Sequence, residues 1–314
     1  MHRGNSRYQV FIDRAVSEGT TLVCAVAHPC DDVSLASAAS AKQQGIFEPI
    51  LVGPRIRLAK AAKRLGLDLD QFQVRDTPHS HASADVAVDL VKSGQAALLM
   101  KGSLHTDELM HAVLGIQSGL RTNRKLSHVF MMDVPGHTEL LFITDAAINI
   151  FPDIETKADI VRNAIELHHA LGMGKPKVAI LAAVEQINPR MPSTIDAAAL
   201  CKMADRGQIE GGVIDGPLAL DNAISPDAAR IKGIHSKVAG YAQILVVPDL
   251  EAGNMLAKNL TFLSGALAAG VVVGARVPII LTSRADSEQT RLASCAVAVC
   301  YARWQEIARH LTGL

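Results

Sequence analysis

Aromatic side chains are scarce: seven Phe, three Tyr and one Trp make up 4% of the 314 residues. Proteins that hold single strands of nucleic acid by stacking bases on aromatic platforms need more than this. An excess of either charge is also missing, with 31 Lys and Arg against 31 Asp and Glu. No global field draws the chain to nucleic acid or a membrane surface, so an anion site must be built locally. Cysteine is limited to Cys24, Cys30, Cys201, Cys295 and Cys300, with no CxxC pair. An odd number without a secretory leader fits reduced thiols in a cytoplasmic protein, most of them buried and structural. Bilayer-length apolar runs are missing too. Phe262 to Ala275 is too short to span, contains several Gly, and reads as a buried helix, turn and strand.

Several catalytic signatures are likewise absent. No GxGxxG follows the first strand, no Gly-x4-Gly-Lys loop occurs, and no GxSxG elbow is found. The histidines are scattered. Pro78-His79-Ser80-His81 reads as a surface turn and His168-His169 as part of a long helix, so no metal is expected.

What the chain does have is alternation. At 314 residues and 49% hydrophobic content it can bury a large core. Short β-branched runs (Thr21–Ala27, Pro49–Gly53, Ala96–Met100, Val129–Asp133, Leu140–Thr144, Val178–Ala182, Gln243–Val247, Gly270–Val273, Pro278–Thr282) are separated by helical patterns. This is the signature of parallel sheets wrapped by helices. Asp31 or Asp32, Thr106 and Asp249 stand where helix N-caps belong. The turn clusters Asp133–Thr138 and Gly265–Gly274 are candidate crossings between domains. Two crossings mean one domain inserted in another.

Polar chemistry gathers where apolar runs end. Val277-Pro278-Ile279-Ile280-Leu281 runs into Thr282-Ser283-Arg284-Ala285-Asp286, a hydroxyl, a guanidinium and a carboxylate at the carboxyl edge of a strand. Ligands of open α/β sheets bind at that edge. Met100-Lys101-Gly102-Ser103-Leu104-His105-Thr106-Asp107 sets a cation, a Gly, hydroxyls and an imidazole before a helix start, which suits either a phosphate or simple capping. Pro248-Asp249-Leu250-Glu251-Ala252-Gly253-Asn254, with Lys258 one turn on, has the same two readings. Asp215 and Asp221 read as a turn former and a helix cap more readily than as a metal pair. Asp145 and Asn149 lie among small residues, with structural and substrate roles both open.

Taken together these segments resemble the phosphate acetyl/butyryltransferases, which interconvert acyl-CoA plus phosphate with acyl phosphate plus CoA. The resemblance is carried in order by Lys101–Thr106, Thr144–Asn149, Asp215–Asp221, Val238-Ala239-Gly240, Pro248–Asn254 with Lys258, and Ser283-Arg284. His28-Pro29-Cys30-Asp31 and Thr282–Ser287 lean toward the butyryl branch. The resemblance implies an α/β fold like that of isocitrate/isopropylmalate dehydrogenase, with two α/β domains flanking a cleft. The first domain would be residues 1–137 plus 268–314 and the second the insertion 138–267. It implies a cytoplasmic homodimer with no cofactor beyond CoA as substrate, and acyl-CoA, inorganic phosphate and acyl phosphate as its partners. Nucleic acid and membrane are not among them.

By that resemblance Ser283 is the catalytic serine and Arg284 the adjacent phosphate-clamping arginine. Lys101, Gly102, Ser103, His105, Thr106, Asp249, Asn254 and Lys258 would bind substrate. The acetyl branch has an aspartate seven residues beyond the serine; here that residue is Thr290. Asp286, Glu288 or no base at all remain the alternatives. Two other readings use the same features: a metal- and NAD(P)-dependent decarboxylating dehydrogenase, and a non-catalytic regulator that binds CoA or acyl phosphate.

Overall fold

The structure, a computed structural model, describes residues 6–282 and 286–312. It forms two compact units. One takes the described residues up to Arg124 and from Ala269 onward, and the other is Lys125–Ala268. In chain order the first unit contributes α1 (Gln9–Ser17), β1 (Val23–Ala27), α2 (Asp32–Gln43), β2 (Glu48–Val52), α3 (Arg55–Leu65), β3 (Gln73–Arg75), α4 (Ser80–Lys92), β4 (Leu98–Lys101) and α5 (Thr106–Leu114). The second holds β5 (Ser127–Asp133), β6 (Leu141–Thr144), α6 (Ile154–Ala170), β7 (Lys177–Leu181), α7 (Pro192–Asp205), β8 (Val213–Leu218), α8 (Leu220–Ile224), α9 (Pro226–Ile231), β9 (Ile244–Val246) and α10 (Leu250–Phe262). The chain then gives β10 (Leu267–Val273), β11 (Ile279–Ile280) and α11 (Glu288–Thr312). Among the described residues no helix is long and apolar enough to cross a membrane.

In the first unit the strand order is β3-β2-β1-β4-β11-β10. The five strands from β3 to β11 run parallel, and β2, β3 and β4 are each reached through a helical crossover. From β1 the chain builds outward through β2 to β3, then returns to lay β4 on the other side of β1. The order therefore reverses between β1 and β4, and the carboxyl ends of those two strands border the crevice where open α/β sheets take ligands. Their side chains are almost wholly buried: Cys24, Ala25, Val26, Ala27, Leu98, Leu99 and Met100 are all at 0% exposure. Strands covered on both faces carry such continuous apolar runs.

The second unit has the order β5-β6-β9-β7-β8. Its core joins Met132, Leu141, Ile143, Leu245 and Leu181 from the strands to Ala223, Ala229 and Val238. Helix starts follow the sequence closely. Asp31 accepts from the Ser34 N–H at 2.8 Å, Asp153 from Thr156 at 2.8 Å and Asp249 from Ala252 at 2.9 Å.

Four expectations need correction. The sheets are not wholly parallel: β5 and β6 form an antiparallel pair, as do β10 and β11. The first crossing lies at Arg124–Lys125 rather than in the turn after Asp133. The strand leading into that turn, β5, pairs with β6 and so belongs to the second unit. The strand around Ile279 spans only Ile279–Ile280. Asp215 lies inside β8, its carboxylate accepting from its neighbour Gly216 N–H at 2.8 Å, and Asp221 lies in the first turn of α8 rather than capping it. Strand β8 reads Val-Ile-Asp-Gly-Pro-Leu, and its Asp, Gly and Pro are all types depleted in strands. It is admitted because a Cβ on Gly216 would sit 2.7 Å from the Ile180 carbonyl oxygen, so only Gly allows β7 and β8 to approach.

His128 is 1% exposed on β5, and burial pulls its pKa down to about 4. The folded chain keeps this imidazole neutral while the unfolded chain protonates it near pH 6.5. Its contribution to stability is complete above that value and is lost as pH falls toward 4. The unfolding free energy should therefore drop between pH 7 and pH 4, with this residue supplying on the order of 3 kcal/mol. Urea titrations at several pH values should show a shallower fall for His128→Leu; an unchanged slope would remove the assignment.

Candidate active site

At the reversal point the register sets Ala27 of β1 beside Lys101 of β4. The chains beyond them stay in contact. Gly102 N–H donates to Ala27 O at 2.8 Å, and Ser103 N–H to His28 O at 2.9 Å. A Cβ on Gly102 would lie 2.5 Å from Ala27 O and 2.6 Å from the His28 carbonyl carbon and oxygen. The glycine is demanded by the approach of two backbones. Ser103 finishes the tie: its hydroxyl donates to His28 O at 2.8 Å and accepts from Cys30 N–H at 3.2 Å. Lys101 Nζ reaches the carbonyls of Gly102 and Leu104 at 3.2 and 3.0 Å.

The segment then opens α5. Glu108 Oε1 accepts from the His105 N–H at 3.3 Å, half of a capping box. The Ser80 hydroxyl, with the His105 N–H and nearby imidazoles, holds the Glu108 carboxyl below the usual range. His105 is exposed and Thr106 half-buried at the amino end of this helix, where main-chain N–H groups and the dipole favour an anion.

Strand β11 is the other neighbour of β4, with Ile279 beside Leu99 and Ile280 beside Met100. The segments after β4 and β11 thus leave the carboxyl ends of adjacent parallel strands. Ser283 and Arg284 lie outside the described residues. Beyond them, the Asp286 main-chain carbonyl accepts from Arg291 Nη1. Glu288 is exposed and accepts from the Ser40 hydroxyl at 2.8 Å. Thr290 is 5% exposed, and its N–H and Oγ1 both meet the Ser287 hydroxyl, at 3.2 and 3.1 Å. Where the acetyl branch places a carboxylate, this chain has a hydroxyl used in starting α11.

In the second unit Asp145, 2% exposed, organises the turn after β6. Its oxygens accept from the N–H groups of His128, Ala147, Ile148 and Asn149 and from Asn149 Nδ2. Burial raises its pKa against those bonds. Asn149 Nδ2 also donates to Leu126 O at 2.8 Å. Of the two roles left open for this pair, the structural one is visible. Gly253 of α10 packs on the same turn: a Cβ there would meet Asp145 O at 2.9 Å and Val247 Cγ2 at 2.8 Å. Asn254 Nδ2 donates to Ala146 O at 3.3 Å, Asp249 caps α10, and Lys258 is exposed.

Asp215 and Asp221 serve elsewhere, Asp215 on Gly216 N–H and Asp221 3.9 Å from Lys232 Nζ. Among the described residues no group of three or more His, Cys, Asp or Glu could hold a metal ion. One residue to which the sequence alone assigns no role, although its segment His28-Pro29-Cys30-Asp31 leans toward the butyryl branch, stands at the centre of the first unit's site. His28 has φ of 56°, unusual outside glycine, and is 3% exposed.

A parallel sheet whose strand order reverses beside a Lys-Gly-Ser loop and a helix start defines the class: an α/β protein of the kind that seats anionic ligands at its carboxyl edge. Comparison narrows this. Residues 79–299 match the family model described as "Phosphate acetyl/butaryl transferase", and the chain belongs to that family. A phosphate acetyltransferase of Rhizobium meliloti is 63% identical over 304 residues, covering 97% of this chain and 96% of the relative. A phosphate butyryltransferase of Clostridium acetobutylicum is 44% identical over 278 residues, covering 88% and 92%. The crystal structure of a branched-chain phosphotransacylase from Enterococcus faecalis V583 superposes with a TM-score of 0.78 at 31% identity, covering 90% of this chain and 99% of that one.

Gly102→Ala tests the approach of β1 and β4. Its new methyl meets backbone atoms that cannot rotate away, so a loss of about 2–4 kcal/mol is expected, read as a lower urea midpoint. A wild-type midpoint would mean the two ends are free to part.

Proposed function

We propose that this chain is a phosphate acyltransferase, exchanging the acyl group of an acyl-CoA onto inorganic phosphate and back. The observation that carries the reading is the reversal of strand order between β1 and β4, with the Lys101–Thr106 segment at that point and the Ser283-Arg284 segment following the adjacent strand β11. Family membership and acetyl- and butyryltransferase relatives on both sides support it.

The chemistry asks for three things. A CoA thiol of pKa about 8.5 must lose its proton before its sulfur attacks the acyl phosphate carbonyl. As the C–S bond forms and the C–O bond to phosphate breaks, negative charge grows on the carbonyl oxygen and needs aimed donors. The phosphate that leaves is a dianion and needs a guanidinium or a helix start. Ser283 is assigned the hydrogen bond to the oxyanion or phosphoryl group, and Arg284 the phosphate clamp. The start of α5, with His105 and Thr106, offers main-chain donors. Lys101 and Ser103 hold the loop in shape, and Gly102 lets it close on β1. By the resemblance Asp249, Asn254 and Lys258 are assigned to substrate binding. The base stays with Asp286 or with bulk water. Glu288 is the weaker choice because Ser40 already engages its carboxylate.

No cofactor beyond CoA as substrate belongs to this reading. A cytoplasmic homodimer and the finer likeness to the isocitrate/isopropylmalate dehydrogenase fold rest on the resemblance. A decarboxylating dehydrogenase would need converging carboxylates, and Asp215 and Asp221 are engaged separately.

CoA release from acetyl-, butyryl- and longer acyl-CoAs, measured with and without phosphate, is the test. Phosphate-dependent release is expected. Ser283→Ala and Arg284→Ala should each lower kcat by roughly 10²-fold, the size of losing one aimed donor. Release that ignores phosphate would overturn the activity, and wild-type rates from both folded variants would overturn the assignment of these two residues.

A further inference from the structure

His28 is bonded on every side. Its N–H donates to Val52 O at the end of β2, at 2.7 Å. Its carbonyl accepts from Ser103 N–H and the Ser103 hydroxyl at the end of β4. Its ring lies 3.2 Å from Arg57 Nη1 through Nε2 and 3.0 Å from Ser83 Oγ through Nδ1. A guanidinium only donates, so Nε2 is the acceptor and the proton sits on Nδ1. Ser83, at 0% exposure, is then saturated: its hydroxyl accepts from His28 Nδ1–H and, at 2.8 Å, from Thr77 Oγ1, and donates to His79 O at 2.9 Å. Burial first, and then the Arg57 charge, lower the His28 pKa, which agrees with a neutral ring.

We propose that His28 is a positioning residue for phosphate: through its ring it locks a left-handed bend whose carbonyl holds Ser103, and thereby sets the Gly102–Thr106 loop and the amino end of α5 in the conformation that receives the phosphoryl group. This rests on the acyltransferase reading above. The neutral imidazole does not touch substrate. It supplies one buried N–H, aimed at Ser83, from a residue that must also sit at positive φ. Asparagine meets both demands, since its Nδ2 occupies the place of a histidine Nδ1 and it tolerates the left-handed region. Leucine fills a similar volume and meets neither.

The experiment compares wild type, His28→Asn, His28→Leu and Ser83→Ala. It measures KM for phosphate and for butyryl-CoA, with circular dichroism for folding and calorimetric titration of inorganic phosphate for binding. Expected for His28→Leu and Ser83→Ala is a rise of about 10-fold in KM for phosphate, the size of one hydrogen bond lost, with KM for butyryl-CoA moving less than about 2-fold. His28→Asn should stay near wild type. Equal rises in both KM values, or an unchanged phosphate KM in folded variants, would overturn the proposal. Should His28→Leu fail to fold, Ser83→Ala decides alone. If wild type releases no CoA but binds phosphate, and these variants bind it about 10-fold more weakly, the acyltransferase reading falls and the positioning role stands.

Discussion

The first unit is organised around one close approach, that of the backbones leaving β1 and β4. A parallel sheet built outward from its middle must somewhere reverse direction, and beyond that point its flanking loops diverge to leave a crevice. Here the base of the divergence is sewn shut. Gly102 has no Cβ to hold the two chains apart, Ser103 bonds both ends of the His28–Cys30 bend, and His28 ties that bend to β2, α3 and α4. The crevice therefore begins at a defined height, at the first turn of α5.

That placement matters in a chain with 31 positive and 31 negative residues. Such a protein cannot attract a phosphate dianion by its overall field. What it can offer is oriented main-chain N–H groups at a helix start, provided they are held still. The side chains of the loop serve this rigidity. Lys101 spends its ammonium on two carbonyls and Ser103 spends its hydroxyl on the His28 bend. Counting hydrogen-bond capacity separates residues that shape a site from those with capacity left for a ligand. A motif cannot make that separation.

This is also where the sequence was readable and where it was not. Long apolar runs and helices with an Asp cap, such as those starting after Asp31 and Asp249, are local signals and the structure keeps them. Strand β8 was hard to read because Gly216 is demanded by its close approach to Ile180, a residue distant in sequence. Strand β3, three residues long at a sheet edge, has too few side chains to show a period. The antiparallel pairs escaped because alternation of strand and helix says nothing about direction once a connection is a turn, as between β5 and β6. Among the segments singled out for chemistry, some carry structure instead. Asp145 looked as chemical as Ser103, and both carry structure.

The Asp145 turn shows why. A carboxylate at 2% exposure would be driven to protonate, and burial does raise its pKa. Four N–H groups and an amide converge on its two oxygens. That many donors favour the charged form and oppose the burial. A group so enclosed cannot exchange a proton with substrate without dismantling the turn that Gly253 packs against. The base in acyl transfer, where one is needed, must instead have solvent or substrate on one side. On that criterion Thr290 fails by chemistry and by its 5% exposure. The Thr290 hydroxyl, bonded to Ser287, serves the start of α11 and not proton transfer.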